Sequence, residues 1–156
     1  MKHTALITGA SRGIGAALAC RFAAEGYDLA LCCRNSYETL QTLATKLETT
    51  CSIQVLCFHG DVGDYTFICD MVQKTLDVFG QIDVLINNAG ISYIGLLTDM
   101  DITDWNRIVT TNLTSVFSTC RQVVPSMVHA KSGRIINISS VWGNVGASCE
   151  VAYSAW

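Results

Sequence analysis

The 156-residue sequence predicts an α/β fold, a parallel sheet doubly wound by helices, and three observations carry that expectation. Five short apolar runs recur along the chain. Segments of helical length separate them. A glycine-rich turn joins the first run to the first of those segments. The runs are 4–8 (TALIT), 27–33 (YDLALCC), 53–59 (IQVLCFH), 82–88 (IDVLINN) and 133–139 (GRIINIS). Each is almost continuously apolar, as strands covered on both faces require. Strand and helix in strict alternation imply parallel pairing through right-handed crossovers.

Between the runs, Ile14, Leu18 and Phe22 repeat at i, i+4 and i+8, which predicts a helix burying that stripe. Segments 37–49, 64–79 and 103–130 are long enough for further helices. Asp104 is the expected cap of the last one. The only proline, Pro125, falls inside it and predicts a kink or break there. With no repeat, low-complexity tract or linker, residues 1–156 read as one domain.

Composition narrows the class of function. Half the residues are apolar and 15% are charged, the balance of a chain that folds around a core. A net charge of −3, with Lys and Arg scattered singly, argues against nucleic acid or an anionic membrane as partner. The first apolar run stops at Gly9, too short for a secretory leader, and no stretch approaches a membrane span. A cytoplasmic protein is therefore expected. The eight cysteines mostly lie within apolar runs and form no CxxC pair, so they read as small buried thiols rather than a disulfide framework. His3, His59 and His129 make no metal-ligand spacing with them, and no metal site is assigned.

The turn itself reads ITGASRGIG. Gly9, Gly13 and Gly15 allow a tight turn, a close approach of backbone and a helix packed close to its strand. The helix then offers free N–H groups and the positive end of its dipole to a pyrophosphate. A purely structural turn is the alternative. Placed between strand and helix at the start of a βαβ unit, the turn points to a Rossmann-type dinucleotide site. The second run ends LCCRNS, with Arg34 where a site for NAD usually carries a carboxylate, and Arg12 sits in the turn. Two guanidinium groups suit the additional phosphate of NADP(H), unless Arg34 is simply a solvated strand end.

With these residues stand GDV at 60–62, NNAG at 87–90, TNLTSVF at 111–117 and RIINISS at 134–140. Together they resemble the short-chain dehydrogenase/reductase family over nearly the whole chain. The resemblance implies that Ser11 and Ile14 join Gly9, Arg12, Gly13, Gly15 and Arg34 around the cofactor. It implies that Asp61 and Val62 contact the adenine, and that Asn88, Ala89 and Gly90 line the cofactor and support the sheet. Three residues take catalytic roles by the same resemblance. Asn112 would hold a water of a proton relay, Ser140 would hydrogen-bond a substrate carbonyl, and Tyr153 would be the general acid. Each has a plainer reading: Asn112 as a local backbone partner, Ser139 and Ser140 as caps of a strand end, Tyr153 as a packing residue.

The family completes that chemistry with a Tyr-x-x-x-Lys pattern, because an isolated phenol ionises only near pH ~10. Counted from Tyr153, the lysine would fall at position 157, one past Trp156. Lys74 and Lys131 are not one helical turn from Tyr153 and do not substitute. Family members are longer, so the resemblance implies a chain truncated after the fifth strand. An uncovered edge strand, an uncovered sheet face and little reductase activity from these 156 residues are then expected, and the longer parent would be a homo-oligomer.

Within the family the text is similar to 3-oxoacyl-[acyl-carrier-protein] reductases, which implies NADPH-dependent reduction of a carrier-bound or small-molecule carbonyl. Lys131 is then either a contact for an acidic carrier or a solvated helix end. The stretch SSVWGNVGASCEVAYS is more similar to reductases acting on the 5-aminopentanone group of elongation factor P, with Trp142, Cys149 and Glu150 near the pocket. A non-catalytic nucleotide-binding remnant is the third reading.

Overall fold

The structure of the protein, a computed structural model, describes residues 2–155. The most buried apolar run, Thr4–Ile7, becomes the central strand β1. It pairs in parallel with β2 (Asp28–Cys33) on one side and β4 (Val84–Asn87) on the other. Strand β3 (Val55–His59) lies outside β2, and β5 (Arg134–Asn137) lies outside β4. The order is β3-β2-β1-β4-β5, all parallel, so the chain reverses direction across the sheet between β1 and β4. In such a sheet the crevice for a ligand opens at the carboxyl ends of the strands at that reversal.

The period-two alternation of the strands divides the core in two. Ala5, Ile7, Leu29, Leu31 and Ile86 face a cluster that includes Ala19 and Ala23 of α1 (Gly13–Ala24) and Leu40 and Leu47 of α2 (Tyr37–Cys51). Leu6, Ala30, Cys32 and Leu85 face the other. That side holds Ile68, Met71 and Val72 of α3 (Tyr65–Phe79), with Val123 and Met127 from the long helix after β4. Asp83, nearly buried, accepts the Thr4 N–H at 2.7 Å and registers the start of β1 against β4.

Several sequence expectations need correction. The segment expected as one helix over 103–130 is three pieces: α4 (Ile102–Val109), a π-helical turn over Thr110–Thr114, and α5 (Ser115–Ala130). Its break is therefore at the π turn, and α5 runs on through Pro125. The cap of α4 is Asp101, whose carboxylate accepts the Asp104 N–H at 2.9 Å, so Asp104 is the capped residue. Of the expected stripe, Leu18 and Phe22 are partly buried against the core but Ile14 is 58% exposed, and the fully buried face of α1 is Gly15, Ala19 and Ala23. A helix drawn this close to its strand has room only for small side chains there. Only Cys32 and Cys33 of the eight cysteines are buried, and all eight are free thiols. Burial pushes the Cys32 thiol up to about 12 and Cys57 up to about 11, and raises Cys33 as well.

Two short helices, α6 (Trp142–Val145) and α7 (Val151–Ser154), follow β5. Strand β5 is exposed along its length. Among the described residues no group of three or more His, Cys, Asp or Glu is placed to hold a metal ion, and no helix is long and apolar enough to cross a membrane.

Candidate active site

The glycine turn leaves β1 at Thr8 and enters α1 at Gly13. Gly9 has φ +65°, and a side chain there would lie 2.9 Å from the Ala89 backbone. A Cβ on Gly15 would collide with the Gly9 carbonyl oxygen and the Asn88 amide. Both positions therefore require glycine, for conformation at the first and for space at both. Asn88 fastens the turn from the β4 side. Its side-chain amide donates to the carbonyls of Thr8 (2.9 Å) and Gly9 (3.1 Å). The Thr8 hydroxyl in return accepts the backbone N–H groups of Asn88 and Ala89, each at 3.0 Å.

A cleft of about 370 Å³ opens over this turn at the reversal point of the sheet. Gly9, Ser11, Arg12, Ile14, Arg34, Asp61, Val62, Asn88, Ala89 and Gly90 all line it. Gly13 and Gly15 do not; they stand in the first turn of α1. The Arg34 guanidinium meets the Asp61 carboxylate at 3.3 Å at one end of the cleft. With two guanidinium groups, backbone N–H groups at a helix start and no room for side chains between, the cleft can hold a phosphate-bearing dinucleotide.

A second cavity, about 530 Å³, continues from the first and shares Ile14, Asn88, Gly90 and Ile91 with it. Ser140 and Tyr153 line this cavity together, with Ser92, Ser139, Trp142 and Glu150. Ser140 is placed by the loop after β5, where its Oγ accepts the Trp142 N–H at 3.3 Å. Tyr153 is placed by α7, and the loop before α7 is braced twice. The Ser154 hydroxyl accepts the Ala147 N–H at 3.1 Å, and the Cys149 carbonyl accepts the Gly95 N–H at 2.8 Å.

Asn112 lines neither cavity. It is 1% exposed within the π turn, and its amide is spent on one residue behind the cleft wall. Oδ1 accepts the Ile91 N–H at 2.9 Å and Nδ2 donates to the Ile91 carbonyl at 2.8 Å. These two bonds use one of the two acceptor and one of the two donor positions of the amide.

Residues 3–155 match the family model described as short chain dehydrogenase. The chain belongs to that family. The 3-oxoacyl-[acyl-carrier-protein] reductase FabG of Staphylococcus aureus (strain Mu50 / ATCC 700699) is 36% identical over 155 residues, covering 99% of this chain and 63% of the FabG sequence. This short-chain dehydrogenase chain thus spans a little under two thirds of that relative's length. Among solved structures, a metagenomic short-chain oxidoreductase in complex with NADP superposes with a TM-score of 0.93 at 32% identity, over 98% of this chain and 69% of that one. An alcohol dehydrogenase from the archaeon Thermococcus sibiricus, complexed with 5-hydroxy-NADP, gives 0.93 at 29% identity, over 99% and 65%.

Sequence reasoning missed Thr8, Ile91 and Thr111. Thr8 and Ile91 serve the cleft through backbone hydrogen bonds, and Thr111 lines it from the π turn. A hydroxyl directly after a strand and before the glycine turn was the available signal for Thr8. Nothing local in the sequence marks Ile91.

Proposed function

We propose that this chain carries the cofactor site and the catalytic Ser and Tyr of an NADPH-dependent carbonyl reductase of the 3-oxoacyl-[acyl-carrier-protein] reductase type. The observation that carries the reading is the continuity of the two cavities: the cleft that begins at Arg34 runs past Gly90 into the cavity lined by Ser140 and Tyr153. Arg12 and Arg34 would hold a phosphate on the adenosine ribose, and the turn from Gly9 to Gly15 would cradle the pyrophosphate. The NADP and 5-hydroxy-NADP of the two structural neighbours' complexes support the choice of cofactor. When bound, NADPH supplies a hydride to the carbonyl carbon.

The chain's own residues do the rest. Ser140 donates its hydroxyl hydrogen to the carbonyl oxygen and stabilises the charge that gathers there. Tyr153 delivers a proton to the same oxygen. Asn112 fixes Ile91, and with it the wall shared by both cavities.

A second reading has one observation in its favour. Among the described residues, Glu150 is the only charged side chain that lines the inner cavity, which Trp142 also lines. That favours a substrate bearing an amine, such as the 5-aminopentanone group of elongation factor P, over an anionic one. The test is NADPH oxidation by a chain extended past position 157, offered a 3-oxoacyl thioester and an amino ketone in parallel. Turnover abolished by Tyr153→Phe and cut sharply by Ser140→Ala supports the reductase. NADPH binding with no turnover of either carbonyl makes the chain a nucleotide-binding remnant and rejects the proposal.

A further inference from the structure

Arg34 stands one residue past the end of β2, where the ladder no longer restrains it, yet it is held at two points. Its carbonyl oxygen lies 2.9 Å from His59 Nε2 at the end of β3. The His59 ring is stacked on Tyr37, the first residue of α2, at 5.0 Å and 13°. The two strand ends are tied again by the Gly60 N–H on the Cys33 carbonyl at 3.0 Å. The side chain is held by Asp61, with Arg34 Nε 3.3 Å from Asp61 Oδ2.

Asp61 is itself immobilised. Its other oxygen, Oδ1, accepts the Gly63 N–H at 2.8 Å, and its carbonyl accepts the Asp64 N–H at 2.9 Å. Any side chain on Gly63 would press on Oδ1 at 3.2 Å and on Thr110 at 3.1 Å, so the turn is closed tightly around the carboxylate. The pair forms the partition between the cofactor cleft and a neighbouring groove lined by Asp64, Asn106, Arg107 and Thr110.

We propose that Asp61 is a positioning residue for Arg34, and that by holding the guanidinium at its Nε edge it sets the preference for NADPH over NADH. The inference rests on the cofactor reading above. A guanidinium carries five N–H donors in a planar fork. Occupying Nε with a carboxylate leaves the terminal pair free, in one plane, for two oxygens of a phosphate monoester. An arginine already fixed loses less side-chain freedom on taking the phosphate than one that sweeps through solvent, and the Arg34 side chain is half exposed. The negative charge that Asp61 adds is offset by Arg34 Nε and the Gly63 N–H, so pre-organisation prevails over repulsion.

The test is the ratio of NADPH to NADH dissociation constants, read by nicotinamide fluorescence on the unaltered chain, Asp61→Asn, Arg34→Leu and the double variant. An adenine contact by Asp61 would shift both cofactors alike and leave the ratio unchanged. Positioning of Arg34 is expected to lower the NADPH preference about fivefold in Asp61→Asn, the scale of a half-exposed ionic contact. In the Arg34→Leu background the same change is expected to do nothing. Arg34→Lys, which keeps the charge and loses the fork, should lose preference although Asp61 is present. This fourth variant serves even if Asp61→Asn fails to fold. A preference that holds or rises in Asp61→Asn, that falls equally without Arg34, or that survives in Arg34→Lys overturns the proposal. An unaltered chain that binds neither cofactor, or prefers NADH, overturns the cofactor reading itself and this inference with it.

Discussion

Thr8 shows how much of the site depends on atoms that never face a ligand. Its hydroxyl is the acceptor for two backbone N–H groups, those of Asn88 and Ala89, and Thr8 is 3% exposed. Thr8→Val keeps the shape and orphans both donors, so a loss of ~1–3 kcal/mol is expected in urea unfolding, with Thr8→Ser restoring most of it. An unchanged midpoint for Thr8→Val would mean that other groups satisfy those donors. Cys32 makes a prediction of a different kind, since burial raises its thiol from 9.0 to about 12. The unfolded chain loses that proton near pH 9 while the native chain keeps it. Its contribution to stability is thus fully present below pH ~9 and is lost progressively as pH rises toward ~12. Thermal unfolding followed across that window should show a falling midpoint, and Cys32→Ala should flatten the decline. The glycines and arginines could be read in the sequence because each answers a local demand of turn or charge, whereas Asp61 entered only through the family resemblance. Thr8 and Ile91 were not, because their partners lie 80 or more and 21 residues away.

At the scale of elements, the five strands were legible because a strand covered on both faces leaves a run of apolar residues that little else imitates. The 103–130 segment was not. Periodicity there reports one continuous apolar face and cannot see the extra residue that a π turn inserts at Thr110–Thr114. Pro125 misled for a related reason: a helix packed along α3 and the sheet can lose one hydrogen bond and continue. Asp64 caps α3 by accepting the Thr66 N–H at 2.8 Å, and Asp64→Ala should cost ~1 kcal/mol of stability. The loop before α7, the helix that carries Tyr153, holds the opposite kind of residue. Cys149 sits at φ +62°, a left-handed backbone that costs a side-chain-bearing residue ~1–2 kcal/mol. Cys149→Gly relieves that strain and gives back part of the gain through a freer unfolded chain. A net stabilisation of ~0.5–1 kcal/mol is expected, with the Gly95–Cys149 hydrogen bond kept. A destabilised variant would show that the thiol itself holds the loop.

The molecule as a whole is asymmetric in what it covers. The β1, β2 and β4 strands are buried almost throughout, whereas β5, at the sheet edge, is exposed at every residue, with Ile135 at 38% and Ile136 at 41%. Leu113, Phe117, Val124 and Val128, along the π turn and α5, are exposed as well. A parallel edge strand with free N–H and C=O groups and isoleucines at its centre is a template for another chain. A polypeptide of residues 1–156 is therefore expected to associate as its concentration rises, seen as growing mass in light scattering at neutral pH. Ile136→Lys places a charge at the middle of that edge and leaves the pairing of Ile86 with residue 136 to the backbone. It should shift association to at least severalfold higher concentration while NADPH binding, in the cleft beyond the carboxyl ends of β1 and β4, is unchanged. Association that persists equally in Ile136→Lys would move the contact to the α5 stripe, where Phe117→Glu should then suppress it. A monodisperse unaltered chain at high concentration would show that neither surface is adhesive.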